Sequence, residues 1–510
     1  MSSREESFVR SITENPDDDV PRLVFADYLE EHGDVRGEFI RVQCELEQRD
    51  AYEPRRYELE SRELQLIRQL SKGWGKPVRD MAHRWTFRRG MVYGVRMKAK
   101  TFLQRKNELF AIAPIQSIDF IEAYDYLDDL SKVQLSRLRE LGFSHGMIGR
   151  AGRNQYPVSY ANFPRYNVFL ERVAQLRASN IRPFHKFLQT TDLESLISLN
   201  LDGNSLGPAG ANAVIAATHL TKLKSLSLGE CKLTHESVEN LSNAAHLGSL
   251  RDLRFSGLYN ISHSYDEDWV GRLTPALRPW LSRLDSLGIS QSGLSLIAIA
   301  SLSDVENCRL RKLDLSSSYM VQRWDGEGGD ATVLGDSPLL SNLAELDISS
   351  CYVRTEDLAT LGSAKSFQHL RVLRMNNSVL NRDAGEMLCK TPFTALAKLS
   401  LNGGRNDGHS LGDTGVDRML QSEHLLHLSV LELRRQQLTD IVIPAFVDSM
   451  VTQNLYKLDL RNNHITDDGA ALLAAMQPWP KLAVLNLRGN PIGPGGRKKL
   501  RDTFGYRVIY

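Results

Sequence analysis

Gly142-Phe143-Ser144-His145-Gly146 has the G-x-S-x-G spacing of a serine nucleophile set on a sharp turn. That chemistry needs a buried strand before the serine and a helix after it. The spacing instead predicts a helical stretch over 132–141, and Gly146, Gly149 and Gly152 follow, so the hydrolase reading fails on context. Asp17-Asp18-Asp19 sets three carboxylates side by side but lacks the alternating ligands and the glycine of a calcium loop, and reads as an acidic helix-start cluster. Gly326-Glu327-Gly328-Gly329-Asp330 lacks the Lys-Ser/Thr pair of a phosphate-binding loop. Cys44, Cys231, Cys308, Cys351 and Cys389 are odd in number and far apart, with no C-x-x-C pair, so they read as free thiols rather than metal ligands or redox partners. No catalytic residue, metal or cofactor is assigned, and an enzyme is not expected.

Recognition chemistry is better represented. Arg434, Arg461 and Arg488 recur at one fixed interval, and stacked arginines suit carboxylate or phosphate partners. The competing reading is that Glu432 and Asp459 neutralise them. Aromatic and charged residues gather in three further places: Tyr259, His263, Tyr265, Asp266 and Trp269; Tyr319, Arg323, Trp324 and Asp325; Arg405, Asn406, Asp407 and His409. Residues 72–106 hold eleven bases against Asp80, with Trp74, Trp85, Phe87 and Tyr93 interleaved, a pattern compatible with an anion or a nucleic acid. Residues 1–40 hold eleven acids against four arginines. Charge runs are usually compensated from within, which predicts that the basic segment packs beside the acidic one.

The elements that must position these residues follow from a repeat. L-x-x-L-x-L-x-x-N/C-x-L appears as Leu196-Leu199-Leu201-Asn204-Leu206 and Leu223-Leu226-Leu228-Cys231-Leu233. Degraded copies begin at Leu250, Leu284, Leu310, Leu343, Leu370, Leu396 and Leu428, and clean ones at Leu455 and Leu482. Ile115-Ile118-Phe120 is a possible earlier strand. Alternate apolar residues predict a short strand with one face buried. The Asn or Cys sits where the chain turns out of the strand, placed to bond backbone groups. A helical stretch follows each turn, and the starts are mostly 26 or 27 residues apart, long enough for a full helix. A bent α/β solenoid with strands on the concave face and helices on the convex face is therefore expected. Two rows should project from the strands. One runs from Asn200 and Ser227 to Glu432, Asp459 and Asn486, the other from Asp202 and Gly229 to Arg434, Arg461 and Arg488. The copies at Leu250, Leu310 and Leu396 are longer, with the extra residues directly after the strand, so the three aromatic clusters should emerge on one rim. Residues 507–510 should add a terminal strand.

These repeats resemble the ribonuclease-inhibitor class of leucine-rich repeats. The front of the chain reads differently: three short helices, with Pro21 opening the second, Gly33 ending it and the third running over 36–46. Its strings R-L-V-F-A-D-Y-L-E-E-x-G-D, from Arg22 to Asp34, and G-E-F-I-R-x-Q, from Gly37 to Gln43, resemble the repeat-companion module that precedes the repeats of certain bacterial proteins. Residues 85–92 resemble that family's lead-in to the repeats. The resemblance implies an architecture and no activity. The expected divisions are a helical module over 1–48, a linking and capping segment over 49–114, a degenerate repeat with an irregular insertion over 115–190, and the repeats with a C-terminal cap over 191–510.

A length of 510 residues exceeds one core and suits an array. A net charge of +1 gives no global attraction to nucleic acid or membrane, and no apolar run is long enough to span a bilayer. The polar start of the chain shows no signal core, which points to the cytoplasm. The expected function is a non-enzymatic scaffold for a protein partner. The alternatives are an anionic-ligand or nucleic-acid binder using 72–106 and, by fold analogy alone, a GTPase regulator.

Overall fold

The computed structural model describes residues 3–51, 53–70, 76–144, 181–257, 267–292, 308–317, 342–351, 353–355, 358, 369–404, 409–476 and 479–510. They form two compact units. The first joins residues 3–47 to 66–284, and the second joins 48–65 to 285–510. The divisions expected at 114 and 190 fall inside the first unit.

In the first unit three helices, α1 (Ser3–Glu14), α2 (Val20–Glu31) and α3 (Arg36–Glu47), close around Ile12, Phe25, Leu29 and Ile40. Pro21 sits in the first turn of α2, where a missing N–H costs nothing. Gly33 takes a left-handed conformation (φ +70°) and its N–H closes on Glu30 O, which ends α2. The lead-in over 85–92 becomes an antiparallel hairpin, β1 (Arg84–Arg88) with β2 (Met91–Lys98). Its turn rests on α3: the Gly90 N–H donates to Gln43 Oε1 at 2.6 Å, and Phe39 meets Phe87 edge to face. A Cβ at Gly90 (φ +78°) would lie 2.6 Å from the Ile40 Cα, so only glycine fits.

From β2 onward the strands are parallel: β3 (Ser117–Ile121), β4 (Glu140–Gly142), β5 (Ser198–Asn200), β6 (Ser225–Gly229) and β7 (Asp252–Ser256). The central apolar residues align as Ile118, Leu141, Leu199, Leu226 and Leu253, all buried. β3 is the strand expected at Ile118. The helix expected over 132–141 is corrected: turns lead into β4 instead. Leu135, Leu138 and Leu141 are spaced by three, as on a helix, but Leu138-Leu141-Phe143 is one more degenerate repeat. Pairing with β3 and β5 overrides the local periodicity.

The second unit carries β8 (Ser286–Ser290), β9 (Lys312–Asp314), β10 (Glu345–Asp347), β11 (Val372–Arg374), β12 (Lys398–Ser400), β13 (Val430–Glu432), β14 (Lys457–Asp459), β15 (Val484–Asn486) and β16 (Val508–Ile509), each parallel to the next. β16 is the expected terminal strand. The eleven repeat copies read from sequence thus appear as β5 to β15. Among the described residues the leucines of the repeat motif are buried almost completely, and each such side chain contributes roughly 2 kcal/mol.

The turn residues do what their chemistry predicts. Asn463 donates to Leu433 O and Leu460 O at 2.9 Å and accepts from Gln436 N at 2.8 Å. Asn204, Cys231, Cys351 and Asn490 donate in the same way to the coil before. Ser378 breaks the series, since its buried hydroxyl has no partner among the described residues. A second ladder, unread in the sequence, ties successive coils at the helix starts. Asp413 accepts from Thr439 and Asp440 accepts from Thr466, each through N–H and hydroxyl, while Asp467 accepts from Gly493 N.

One helix joins the two units in sequence. α4 (Pro54–Leu70) contributes its first turns to the second unit, where Tyr57 stacks on Tyr456 at 5.3 Å and Ser61 Oγ donates to Ala483 O at 3.1 Å. Leu59 is buried there. Tyr456 and Ala483 immediately precede β14 and β15, so this helix covers the N-terminal edge of those strands.

Candidate binding surface

The strand-face rows are polar and largely bonded to each other. In the first unit the Asp202 carboxylate accepts from Ser227 Oγ at 2.7 Å and from Gly229 N at 2.6 Å. In the second unit a network crosses from β10 to β14. Ser349 Oγ accepts from the Asn376 amide, Asn376 Oδ1 accepts from Ser400 Oγ at 2.8 Å, and Ser400 Oγ also reaches Glu432 Oε2 at 2.9 Å. Lys398 Nζ lies 2.9 Å from Glu432 Oε1, with Lys457 Nζ at 3.8 Å. Burial alone would raise the Glu432 carboxyl, but the two lysines and Ser400 outweigh it and bring it down to about 2.

The arginine stack divides. Asp459, fully buried, accepts from Arg434 Nε at 2.9 Å and from Arg461 Nη2 at 2.8 Å. Arg434 and Arg461 therefore share one carboxylate, while Glu432, the other acid of the competing reading, is taken by Lys398 and Lys457. Arg488 is exposed, and among the described residues its guanidinium has no partner. The two rows counted from sequence leave out Lys398 and Lys457. These begin β12 and β14 two residues before Ser400 and Asp459, and the same alternation would have found them.

Tyr259, Tyr265, Tyr319, Arg323 and Trp324 lie outside the described residues, as do His263, Asp266, Asp325, Arg405, Asn406 and Asp407. Their points of departure are described. The chain leaves at Gly257, Ser317 and Gly404, each just past the C-terminal end of its strand, β7, β9 and β12. Because the strands of the second unit are parallel, the segments after Ser317 and Gly404 leave from one edge. In the first unit the segment after Ser144, at the end of β4, shares an edge with the one after Gly257. His409, where the description resumes, is exposed.

Four bases of the basic segment pair with acids of their own unit. Arg88 forms a two-armed bond to Glu47 at 2.9 and 3.0 Å, Arg89 pairs with Asp19 at 3.5 Å, Arg96 with Asp119 at 3.2 Å and Lys98 with Glu122 at 3.0 Å. The Asp17-Asp18-Asp19 cluster is likewise engaged. Arg139 bonds Asp17 and holds its carboxyl below the usual range, and Asp18 accepts from Val20 N at 2.9 Å. Among the described residues no cluster of His, Cys, Asp and Glu is arranged to hold a metal, and no helix is long and apolar enough to cross a membrane.

Ser144 follows a strand, not the helix expected. Its N–H donates to Asp119 Oδ1 at 2.9 Å, and Phe143 before it is buried in the repeat core. His145 and Gly146 lie outside the described residues.

The family profile described as Leucine Rich repeat matches residues 453–474 and 480–500. Solved structures with similar folds include a chain of the yeast Rad7 and Elc1 complex. It has 19% identity and a TM-score of 0.42, over 62% of this chain and 74% of that one. A chain of the TLR13-ssRNA13 complex has 17% identity and a TM-score of 0.42, over 81% of this chain and 48% of that one. An internalin of Listeria monocytogenes has 15% identity and a TM-score of 0.31, over 74% and 86%. No partner or activity transfers from these similarities. The strand-by-strand repeat is of the leucine-rich kind that the profile recognises in those two stretches.

Proposed function

We propose that the chain is a non-enzymatic scaffold that holds a protein partner between its strand face and the segments leaving the C-terminal edge of its strands. One observation carries the reading. The strand face of the second unit is a polar surface already bonded to itself, from Ser349 through Asn376, Ser400 and Glu432 to Lys398, so its shape is set before any partner arrives. A face built this way supplies complementarity, while affinity comes from aromatic and charged side chains of the segments that follow the strands, for which Tyr259 and Tyr265 in the first unit and Tyr319, Arg323, Trp324, His409 and Arg488 in the second are the candidates. In this reading the repeats are of the ribonuclease-inhibitor-like class with a concave strand face. The front module marks a bacterial repeat-companion architecture, the location is cytoplasmic and no cofactor is needed.

The test is capture from native lysate by crosslinking and mass spectrometry, with the full chain and with Trp324→Ala/Tyr265→Ala. The expected result is loss of capture with an unchanged melting temperature. Undiminished capture by the variant sinks the reading. Capture that collapses with salt would point instead to an anion or nucleic-acid site, a role for which Arg88, Arg89, Arg96 and Lys98 are already committed.

A further inference from the structure

The helical side of the second unit carries a surface that the strand-face reading does not use. Helix Gly412–Leu420, the turn Asp440–Val442 and helix Ile443–Asp448 border a groove of about 750 Å³. Three of its apolar side chains stand open to water: Ile441 is 78% exposed, Met450 67% and Leu426 36%. The repeat does not require them. The equivalent positions one coil further along hold Asp468, Gln477 and Gln453. A cluster of large apolar groups left in water on a polar side marks an interaction surface.

The rim gives the surface a sign. Asp417, Glu423 and Asp448 line the groove, and among the described residues no lysine or arginine does. None of these three forms an ion pair among the described residues, in contrast to Asp413, whose carboxylate is occupied by Thr439. We propose that this groove docks a segment of a partner protein whose apolar residues are flanked by Lys or Arg. The apolar side chains cover Ile441, Met450 and Leu426, and the flanking cations meet the three free carboxylates. The same rim repels a nucleic-acid backbone and an anionic membrane surface.

The test uses the full chain as bait for a display library of short random peptides, counter-selected on Ile441→Ser/Met450→Ser. The strongest peptide is then synthesised and its Kd measured by fluorescence polarisation at low and high salt, on the wild type, on the counter-selection variant and on Asp417→Asn/Glu423→Gln/Asp448→Asn. All five substituted side chains lie at the surface or line the groove, and unchanged melting curves certify the fold of both variants. Enrichment of peptides with an apolar core and basic flanks is expected. Their Kd should rise about tenfold or more in each variant and weaken with salt. No enrichment over the counter-selection, enrichment of acidic peptides, or equal Kd in all three proteins overturns the proposal. Self-association of the wild type that the Ile441→Ser/Met450→Ser change abolishes would assign the groove to a second copy and overturn it as well. None of these readouts depends on the strand face.

Discussion

Replacing Glu432 by glutamine tests whether the strand face is held by its own charges. Glu432 is 7% exposed, faces Lys398 and Lys457 and accepts from Ser400. Its carboxyl falls from the ordinary 4.5 to about 2 on folding, and at about 1.4 kcal/mol per tenfold change this linkage is worth roughly 3 kcal/mol. The folded group is the more acidic one. Its stabilisation is therefore complete above pH 4.5 and is lost as pH falls from there towards 2. The substituted amide keeps the shape but leaves Lys398 and Lys457 without a counter-charge, so Glu432→Gln should lose about 2–4 kcal/mol at neutral pH. Urea unfolding of both proteins at a series of pH values between 7 and 3 gives the comparison, and Lys398→Met completes a double-mutant cycle. The gap should be widest at pH 7 and narrow steadily below 4.5. A gap that stays constant with pH, or a variant as stable as wild type at pH 7, would refute the charge argument.

Three further outcomes follow from named contacts. Asn463→Ala removes two donated and two accepted buried hydrogen bonds and should cost about 2–4 kcal/mol. Ser378→Ala, at the same repeat position but with no bond to lose, should fall within about 0.5 kcal/mol of wild type in the same urea titration. Gly90→Ala puts a Cβ against the Ile40 backbone and should cost more than about 2 kcal/mol, with faster amide exchange in α3 and the hairpin but not in β14 and β15. In a thiol titration of the native protein Cys389 and Cys308, both partly accessible, should react ahead of Cys44, Cys231 and Cys351. Burial pushes the Cys44 thiol up to about 12 and raises Cys231 as well, so these react only on unfolding.

The repeat was legible because its signal is the spacing of buried leucines within each copy, and eleven copies leave little freedom. Leu138-Leu141-Phe143 escaped because its leucines are also spaced by three, and only pairing with strands distant in sequence decides between helix and strand. The docking of Tyr57 on Tyr456 escaped for a related reason. Nothing local to Pro54–Leu70 marks a partner near the far end of the chain. The pairing of Arg434 and Arg461 with Asp459 was half legible: Glu432 and Asp459 stood in the neighbouring row, but which base each acid meets depends on side-chain reach across adjacent strands. Arg488 keeps its freedom because Asn486, not an acid, occupies the position equivalent to Asp459. The exposure of Ile441 and Met450 was invisible, since an apolar residue in a helical stretch reads as core until its neighbours are placed.

The scaffold reading stands or falls on where a captured partner touches the chain. Hydrogen exchange of the full protein, free and bound to the partner recovered from lysate, measures this directly. Protection is predicted over residues 258–266, 318–341 and 405–409 and along the strands from β10 to β15. Protection confined to the first three helices or to the basic segment over 76–106, with the strands and the departing segments unchanged, would contradict it.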